Sequence, residues 1–264
     1  MSERLPDGWG PSTPRNDTLT REFIEAYADL VEALGTSAGN ATARTEDFVA
    51  LDSHSPFPFL NLAVPLRPIV DTADPMLDDI TGFFAPDDES TPFLIYNATP
   101  MPWLGERGWE LMGHPPLMLR PAGPATVPTP PGLEIVEVRD DGMLEQFDRT
   151  MAEAYPVPEI QGRRSFHAGL LELPGWHMWL GMIDGEPVGT SAAHVSDTLV
   201  DVEWISAMPS ARGKRVGEAL TWAATCVQPD LPAMLIASDL GQPVYERMGY
   251  LRLSRFTLWI GKRA

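Results

Sequence analysis

The part of the chain whose residue types most clearly suggest chemistry is PSARGKRVGEAL, residues 209–220. It places Arg212, Lys214 and Arg215 beside glycines, in a chain whose formal net charge is −18. The turn stands where a helix is expected to begin, and unpaired N–H groups and the helix dipole attract anions there. The pattern therefore predicts that residues 212–217 bind a pyrophosphate.

The elements that must position this turn show strand and helix patterns in alternation. The predicted strands are 133–140, a hairpin over 176–195 around the turn Asp184-Gly185, 199–207, 233–238 and 255–261. The predicted helices are 141–155, 159–173, 213–227 and 242–248. This order predicts an α/β protein with a mixed central sheet.

The basic turn resembles the acetyl-CoA signature of the GNAT superfamily of N-acyltransferases, Arg/Gln-x-x-Gly-x-Gly/Ala, which often follows Val-x-Pro. The corresponding residues are Ala207, Met208 and Pro209, then Arg212, Gly213, Lys214, Arg215, Val216 and Gly217. Arg215 stands where the middle glycine is usual. Its N–H remains available to an anion, although its side chain gives the backbone less freedom to approach one.

A second motif of the same family follows at the expected distance. SDLGQPVYERMGY, residues 238–250, resembles Asn-x-x-Ala-x-x-Leu-Tyr-Glu-Lys-x-Gly-Phe. Ser238 takes the Asn position and Gly241 the Ala position, while Tyr245, Gly249 and Tyr250 match in kind. The resemblance extends over the C-terminal half of the chain, including the order of its elements.

The resemblance implies direct transfer of an acyl group from CoA to an amine, with acetyl-CoA as co-substrate. It implies that the backbone of Ile205, Ser206 and Ala207 pairs with the pantetheine arm, where the strand splays from its neighbour. Residues 212–217 would then hold the pyrophosphate, and Ser238 is a further candidate contact of the arm.

The same resemblance implies two catalytic side chains. Tyr245 would protonate the departing thiolate, and its alternative role is that of a core aromatic on a short helix. Glu203, on the strand before the basic turn, would accept the proton of the amine. The alternation of Asp201, Glu203 and Ile205 is also typical of a sheet face, and water or His194 could carry the proton instead.

The N-terminal half aligns with the C-terminal half without a gap. One constant offset, which places Gly108 on Gly249, gives this alignment. We call it the repeat offset. The aligned pairs are Gly108-Trp109 with Gly249-Tyr250, Leu94-Ile95 with Leu235-Ile236, Pro102 with Pro243, Leu117 with Leu258, Leu119 with Ile260, and Pro68 with Pro209. The first half is therefore interpreted as a second, degenerate GNAT-like unit.

The first unit lacks the residues that the second would use. The aligned pairs are Asp71 with Arg212, Asp74 with Arg215, Leu104 with Tyr245, and Leu62 with Glu203. A carboxylate repels a nearby phosphate charge by about 1 kcal/mol even in water. We therefore expect the N-terminal unit not to bind the coenzyme, but to extend the sheet, shape the acceptor site or form a homodimer, as in tandem GNAT proteins.

The proline- and glycine-rich run RPAGPATVPTPPG, residues 120–132, divides the two halves. The predicted organisation is a flexible N-terminal tail at 1–17, a degenerate GNAT-like domain at 18–120, a linker at 121–132 and a catalytic GNAT domain at 133–264.

Composition argues against several classes of function. The acidic charge argues against a nucleic-acid-coating protein and mildly favours a cationic substrate, although solubility alone explains it. No run of about 20 apolar residues predicts a membrane span. The single cysteine, Cys226, suggests a reducing, cytoplasmic location. The five histidines show no metal-binding spacing, so no metal is expected.

The sequence leads to an acetyl-CoA-dependent N-acetyltransferase that acts on a primary amine of a small molecule or a protein. The alternative is a non-catalytic GNAT module that binds or senses acyl-CoA, and a third interpretation is a structural partner without CoA affinity. Arg163 and Arg164 could bind an acceptor carboxylate or be solvated surface residues. The acceptor, and acetyl rather than a longer acyl group, cannot be read from the sequence.

Overall fold

The structure, a computed structural model, describes residues 19–84, 92–125, 127, 129–155 and 164–261. The helices are α1 (Leu19–Ala38), α2 (Pro75–Phe84), α3 (Asp141–Ala154), α4 (Val216–Thr225) and α5 (Gln242–Arg247). The strands of the first half are β1 (Ala41–Arg44), β2 (Phe48–Asp52), β3 (Asn61–Pro65), β4 (Phe93–Asn97), β5 (Glu110–Gly113) and β6 (Pro116–Arg120). Those of the second half are β7 (Leu133–Glu137), β8 (Trp176–Ile183), β9 (Glu186–Val195), β10 (Val200–Ala207), β11 (Ala233–Ile236), β12 (Leu251–Arg255) and β13 (Thr257–Gly261).

These strands form two mixed sheets, one for each unit. The first has the order β1-β2-β3-β4-β13-β5, and the second has the order β12-β6-β11-β10-β9-β8-β7. Each sheet has one parallel pair among antiparallel neighbours, β3 with β4 in the first and β10 with β11 in the second. The predicted α/β class, with two units in tandem, is confirmed.

The two sheets exchange one strand each. The strand β6 of the first half lies between β11 and β12, whereas β13 of the second half lies between β4 and β5. The two segments that lead into the exchanged strands cross where the Phe256 amide donates to the Pro115 carbonyl at 2.9 Å. The boundary drawn at residue 120 therefore divides the sequence but not the sheets.

The repeat offset relates the elements of the two units. It superimposes the bounds of α2 on those of α4 and the bounds of β6 on those of β13. It also brings β3, β4 and β5 onto β10, β11 and β12 within a few residues at each end. The exchanged strands are thus equivalent members of the two units.

Local sequence explains the elements nearest to the site. Asp140 caps α3, where its side chain accepts a hydrogen bond from the Met143 amide at 2.9 Å. Asp184 and Gly185 both have positive φ, 52° and 81°, as a tight turn with the twist of the flanking strands requires. The predicted hairpin and the helix that follows β7 are therefore present.

The predicted helix at 159–173 is wrong where it can be compared. Residues 156–163 lie outside the described residues, 164–167 have no regular structure, and 168–172 form a 3-10 helix. The Asp148 carboxylate on α3 accepts from the Ser165 amide at 2.5 Å and so holds this segment in extended form. The predicted tail at 1–17 also lies outside the described residues.

One core is shared by the two halves. It joins the buried face of α1, including Phe23 and Tyr27, to residues of both sheets and of α3. Phe23 contacts Phe256 edge-on at 5.8 Å, beside the strand crossing. Separate clusters lie beneath α2 and beneath α4. Among the described residues, no helix is both long and apolar enough to cross a bilayer.

The strand exchange makes each half depend on the other. We expect that a site-specific protease sequence, inserted directly after the exposed Thr129, can be cut without separating the halves. Each fragment keeps a strand inside the sheet of the other, so strand hydrogen bonds and the shared core hold them together. Gel filtration before and after cleavage, with and without denaturant, measures this. Separation under native conditions would contradict the exchange.

Candidate functional site

The strand β10 contains a β-bulge directly after Glu203. Its pairing with β9 shifts between Glu203–Ala192 and Ser206–Thr190, so one extra residue is accommodated on β10. Trp204 takes the left-handed conformation, with φ of 53°. For a bulky residue this conformation costs about 1–2 kcal/mol, so neighbouring contacts must maintain it.

Hydrogen bonds and ring contacts hold the bulge. The Thr190 hydroxyl donates to the Trp204 carbonyl at 2.9 Å and lies 2.7 Å from the Ser206 hydroxyl. The Trp204 ring packs edge-on against Phe166, with 5.2 Å between centroids, and lies 6.3 Å from Phe57 of the first half. Both halves therefore stabilise the bulge.

The strands β10 and β11 separate near this point. They pair only at Val200–Ala233 and Asp201–Met234, so β11 does not cover the backbone of Ile205, Ser206 and Ala207. The structure thus brings these three predicted contacts to the open wedge. The Tyr155 hydroxyl donates to the Ile205 carbonyl at 3.0 Å, which already uses one acceptor position there.

The first turn of α4 lies beside the wedge and offers free backbone donors. Among the described residues, no acceptor reaches the amide groups of Gly213 or of residues 215–218. A β-carbon on Gly217 would lie 3.9 Å from that of Ala207, which shows how closely the helix approaches the strand. Residues 213–218 therefore offer free N–H donors next to β10, an arrangement that favours anions.

Arg215 precedes α4 in the left-handed conformation, with φ of 62°. Glycine adopts this conformation without the strain that other residues incur, which explains why glycine is usual at this position of the motif. The Arg215 side chain turns back along the helix, where Nε and Nη2 donate to Glu218 at 3.0 Å and 2.6 Å.

The three predicted cations differ in their surroundings. Arg215 is paired with Glu218, and Arg212 donates from Nη2 to the Ala154 carbonyl at the end of α3, at 3.1 Å. Lys214 is exposed and has no ion-pair partner among the residues described. Two of the cations thus have partners of their own, while the backbone amides remain free.

The equivalent helix terminus of the first unit is occupied by a carboxylate. Asp74 precedes α2 as Arg215 precedes α4, and its side chain accepts from the Met76 amide at 3.1 Å. Arg67 donates to both oxygens of Asp74, at 2.7 Å and 2.9 Å. Asp71 binds the Ala73 amide at 2.8 Å. This arrangement supports the prediction that the first unit does not take a pyrophosphate.

Two acidic residues of β10 lie side by side next to the wedge. Asp201 is fully buried, while Glu203 is partly exposed, and no donor among the described residues reaches either side-chain oxygen of Asp201. Burial and the nearby charge of Glu203 raise the pKa of Asp201. Burial raises the pKa of Glu203 to about 7. Sequence analysis named Asp201 only as part of a sheet face, and its role depends on contacts that the sequence does not show.

Four of the five tyrosines lie near Glu203. Tyr27 and Tyr96 come from α1 and β4 of the first half, whereas Tyr155 follows α3 and Tyr245 lies on α5. Burial raises the pKa of each of them, and the nearby charge of Glu203 adds to the rise. The N-terminal half thus faces the candidate site with two phenol groups, which the sequence comparison did not predict.

Tyr245 stands close to the backbone of Gly241. A β-carbon there would lie 2.8 Å from the Tyr245 ring and 3.1 Å from its hydroxyl oxygen, so only glycine leaves room for the ring. In the described part of the chain, the hydroxyl has no hydrogen-bond partner. Ser238 is exposed, and its hydroxyl accepts from the Gly241 amide at 3.1 Å.

The remaining candidates have other surroundings. His194 stands directly opposite Asp201 on β9, and burial lowers the pKa of its ring. Arg163 lies outside the described residues, and Arg164 pairs with Asp141 and donates to the Phe166 carbonyl at 2.9 Å. No group of three or more metal-ligating side chains occurs among the described residues.

No family model matches the chain, and no curated protein sequence matches it. Solved structures do. A GCN5-related N-acetyltransferase from Kribbella flavida is 23% identical, with 89% of this chain and 93% of that chain covered at a TM-score of 0.65. A GNAT-family protein from Novosphingobium aromaticivorans is 15% identical, with 89% and 99% covered and a TM-score of 0.56.

A third similar structure is a GCN5-related N-acetyltransferase from Sphaerobacter thermophilus, 11% identical, with 91% of this chain and 93% of that chain covered and a TM-score of 0.52. In all three, the likeness extends over both units of the chain. The protein therefore has the fold of the GNAT superfamily.

The two helix termini suggest a matched experiment. We expect Arg215→Asp, which copies Asp74 of the first unit, to weaken CoA binding at least about tenfold, because the new carboxylate caps the free amides and repels phosphate. Glu218→Gln should strengthen binding about threefold, since it removes a carboxylate and releases Arg215. Calorimetric titration with CoA measures both.

Arg149→Asp, on an exposed position of α3, is the control that changes net charge equally. Thermal unfolding of Arg215→Asp should show unchanged or increased stability, because Asp is a better capping residue than a strained Arg. An unchanged CoA affinity in a folded Arg215→Asp variant would show that the diphosphate does not bind at α4.

Proposed function

We propose that the protein is an acetyl-CoA-dependent N-acetyltransferase that transfers the acetyl group to a primary amine of a small molecule or a protein. The observation that carries this proposal is the wedge between β10 and β11, which brings free strand backbone, free helix amides and an oriented carboxylate together. We further propose that 133–264 carries the catalytic residues, that the N-terminal unit completes the acceptor side, and that the protein works in the cytoplasm.

The residues at the wedge fit the chemistry of the coenzyme. The amides of Gly213 and residues 215–218, with Lys214, would bind the diphosphate through charge and N–H donors. The backbone of Ile205, Ser206 and Ala207 would pair with the amide-bearing arm, and Ser238 stands at the opposite side of the wedge. Acetyl-CoA supplies the activated acetyl group, and the protein contributes no covalent intermediate.

Glu203 would serve as the base. An alkylammonium group has a pKa near 10 and must lose a proton before it can attack a carbonyl carbon. Burial raises the pKa of Glu203 to about 7, so at neutral pH a large fraction is ionised and yet basic enough to accept a proton. Its partial exposure gives that proton a route to solvent.

Tyr245 would serve as the acid. Burial and the charge of Glu203 raise its pKa, so the hydroxyl keeps its proton at neutral pH. A free phenol O–H beside the wedge can protonate a departing thiolate. The Tyr250 hydroxyl, by contrast, lies 2.6 Å from that of Thr225 in the core.

The pH dependence of kcat/KM tests the base. Glu203 accepts a proton only when ionised, so we expect activity to rise from pH 5 and to level off above about pH 7. Glu203→Gln should lower activity at pH 7 by about 100-fold, and its rate should keep rising toward the amine pKa, because only neutral amine then reacts. Steady-state thiol release with a panel of primary amines measures this.

A profile in Glu203→Gln that levels off as in the native protein would reject Glu203 as the base. Calorimetric binding of acetyl-CoA without turnover of any amine would favour the acyl-CoA-sensing alternative. Absence of CoA binding would reject both.

Tyr245→Phe and Tyr250→Phe form a matched pair, because each removes one hydroxyl from rings whose centroids are 5.9 Å apart. We expect Tyr245→Phe to lower kcat by about 100-fold with little effect on folding. Tyr250→Phe should lower the free energy of unfolding by about 1 kcal/mol through the lost Thr225 hydrogen bond, with little effect on kcat. Equal kcat values for the two variants would remove Tyr245 from the mechanism.

A further inference from the structure

The most deeply buried acidic group of the site has no role in the chemistry described so far. Asp201 has no exposed surface, and no N–H or hydroxyl donor among the described residues reaches either of its side-chain oxygens. The neighbouring acidic group is the carboxyl group of Glu203, two residues along the same strand and on the same face, and its charge adds to the rise in the pKa of Asp201. Two carboxyl groups can share a hydrogen bond only if one of them carries a proton.

We infer that Asp201 is a positioning residue, which keeps its proton and donates its O–H to the Glu203 carboxylate. This inference rests on the proposed role of Glu203 as the base. The proton belongs on Asp201 because Glu203 is partly exposed, whereas an ionised Asp201 would be a buried charge without compensation.

The surroundings of the pair favour this distribution. Tyr27 and Tyr96 face it from α1 and β4, and Tyr155 and Tyr245 face Glu203 from the second half. His194 is directly opposite Asp201 on β9, and burial lowers the pKa of its ring, which favours the neutral form. No lysine or arginine among the described residues acts on either carboxyl group. Without a nearby cation, two negative charges cannot coexist here at neutral pH.

The hydrogen bond has a consequence for catalysis. It stabilises the ionised form of Glu203 and so partly offsets the effect of burial, which keeps the base usable at neutral pH. The reactive pair holds one proton, on Asp201. Glu203 takes a second proton from the ammonium group and then releases it to solvent, while the Asp201 proton stays in place.

The first unit supports a linked role for the two acids. At the repeat offset, Leu60 stands at the position of Asp201 and Leu62 at that of Glu203. Both leucines are buried, and the pairing of β2 with β3 continues without a bulge. The unit without the base therefore also lacks its partner and the bulge that aims it.

Two substitutions separate hydrogen bonding from packing. Asp201→Asn keeps a side-chain N–H donor for Glu203, so the acidic limb of the kcat/KM profile should stay within about half a pH unit of the native position. Asp201→Leu, the residue of the first unit, removes the donor, so this limb should move up by about one pH unit and kcat at pH 7 should fall about tenfold. Equal shifts in both variants would overturn the inference.

Infrared spectroscopy of the whole protein tests the proton without reference to activity. At pH 9 the ordinary carboxyl groups are ionised, so a remaining carboxylic acid stretching band reports a buried protonated acid. We expect this band in the native protein and in Glu203→Gln, and its loss in Asp201→Asn. No band in the native protein, or a band that persists in Asp201→Asn, would overturn the inference, even if Asp201→Leu fails to fold.

The same measurements distinguish the two proposals. If the band follows Asp201 but no amine is acetylated, the proposed function fails while the protonation of Asp201 stands. If acetyl transfer depends on Glu203 and the band is absent, the role of Asp201 fails and the function stands.

Discussion

The bulge in β10 is the constraint on which the candidate site depends. A regular strand would continue its pairing with β9 and would turn the residues after Glu203 to other faces of the sheet, because side chains alternate along a strand. The extra residue instead puts Trp204, directly after Glu203, in a strained left-handed conformation. The strain persists because Thr190 bonds the Trp204 carbonyl and rings from both halves enclose the indole.

Comparison of the two units shows how few residues separate a helix terminus with free amides from a closed one. Val49 of the first unit corresponds to Thr190, which supports the bulge in the second. Val49 has no hydroxyl group that could bond a bulged carbonyl, so β2 and β3 pair in continuous register. Asp74 precedes α2 at the position that Arg215 takes before α4. The Asp74 carboxylate accepts a hydrogen bond from an amide that an external anion would otherwise bind. The first unit keeps the fold because these changes affect hydrogen bonds at two turns and leave the buried pattern of its strands intact.

The sequence predicted those features that depend on local patterns or on spacing along the chain. The hairpin at Asp184-Gly185, the capped helix α3 and the equivalence of the units at the repeat offset are of this kind. The exchange of β6 and β13 could not be predicted, because both strands are apolar and either sheet could bury them equally well. The Arg215–Glu218 pair and the burial of Asp201 depend on rotamers and on contacts between distant residues. The assignment of Glu203 and Tyr245 stays a prediction from resemblance, supported by their proximity.

The strand exchange and the chemistry of the wedge are physically linked. Tyr27 and Tyr96 belong to the first half, yet both lie near Glu203 on β10. Exclusion of water raises a carboxyl pKa, so the first half contributes to the basicity of Glu203 from outside the terminus of α4. Because β6 and β13 each belong to the opposite sheet, the halves cannot move apart without breaking strand pairs. The exchange therefore keeps the enclosing phenols in place, and a degenerate unit can be retained for the environment that it creates.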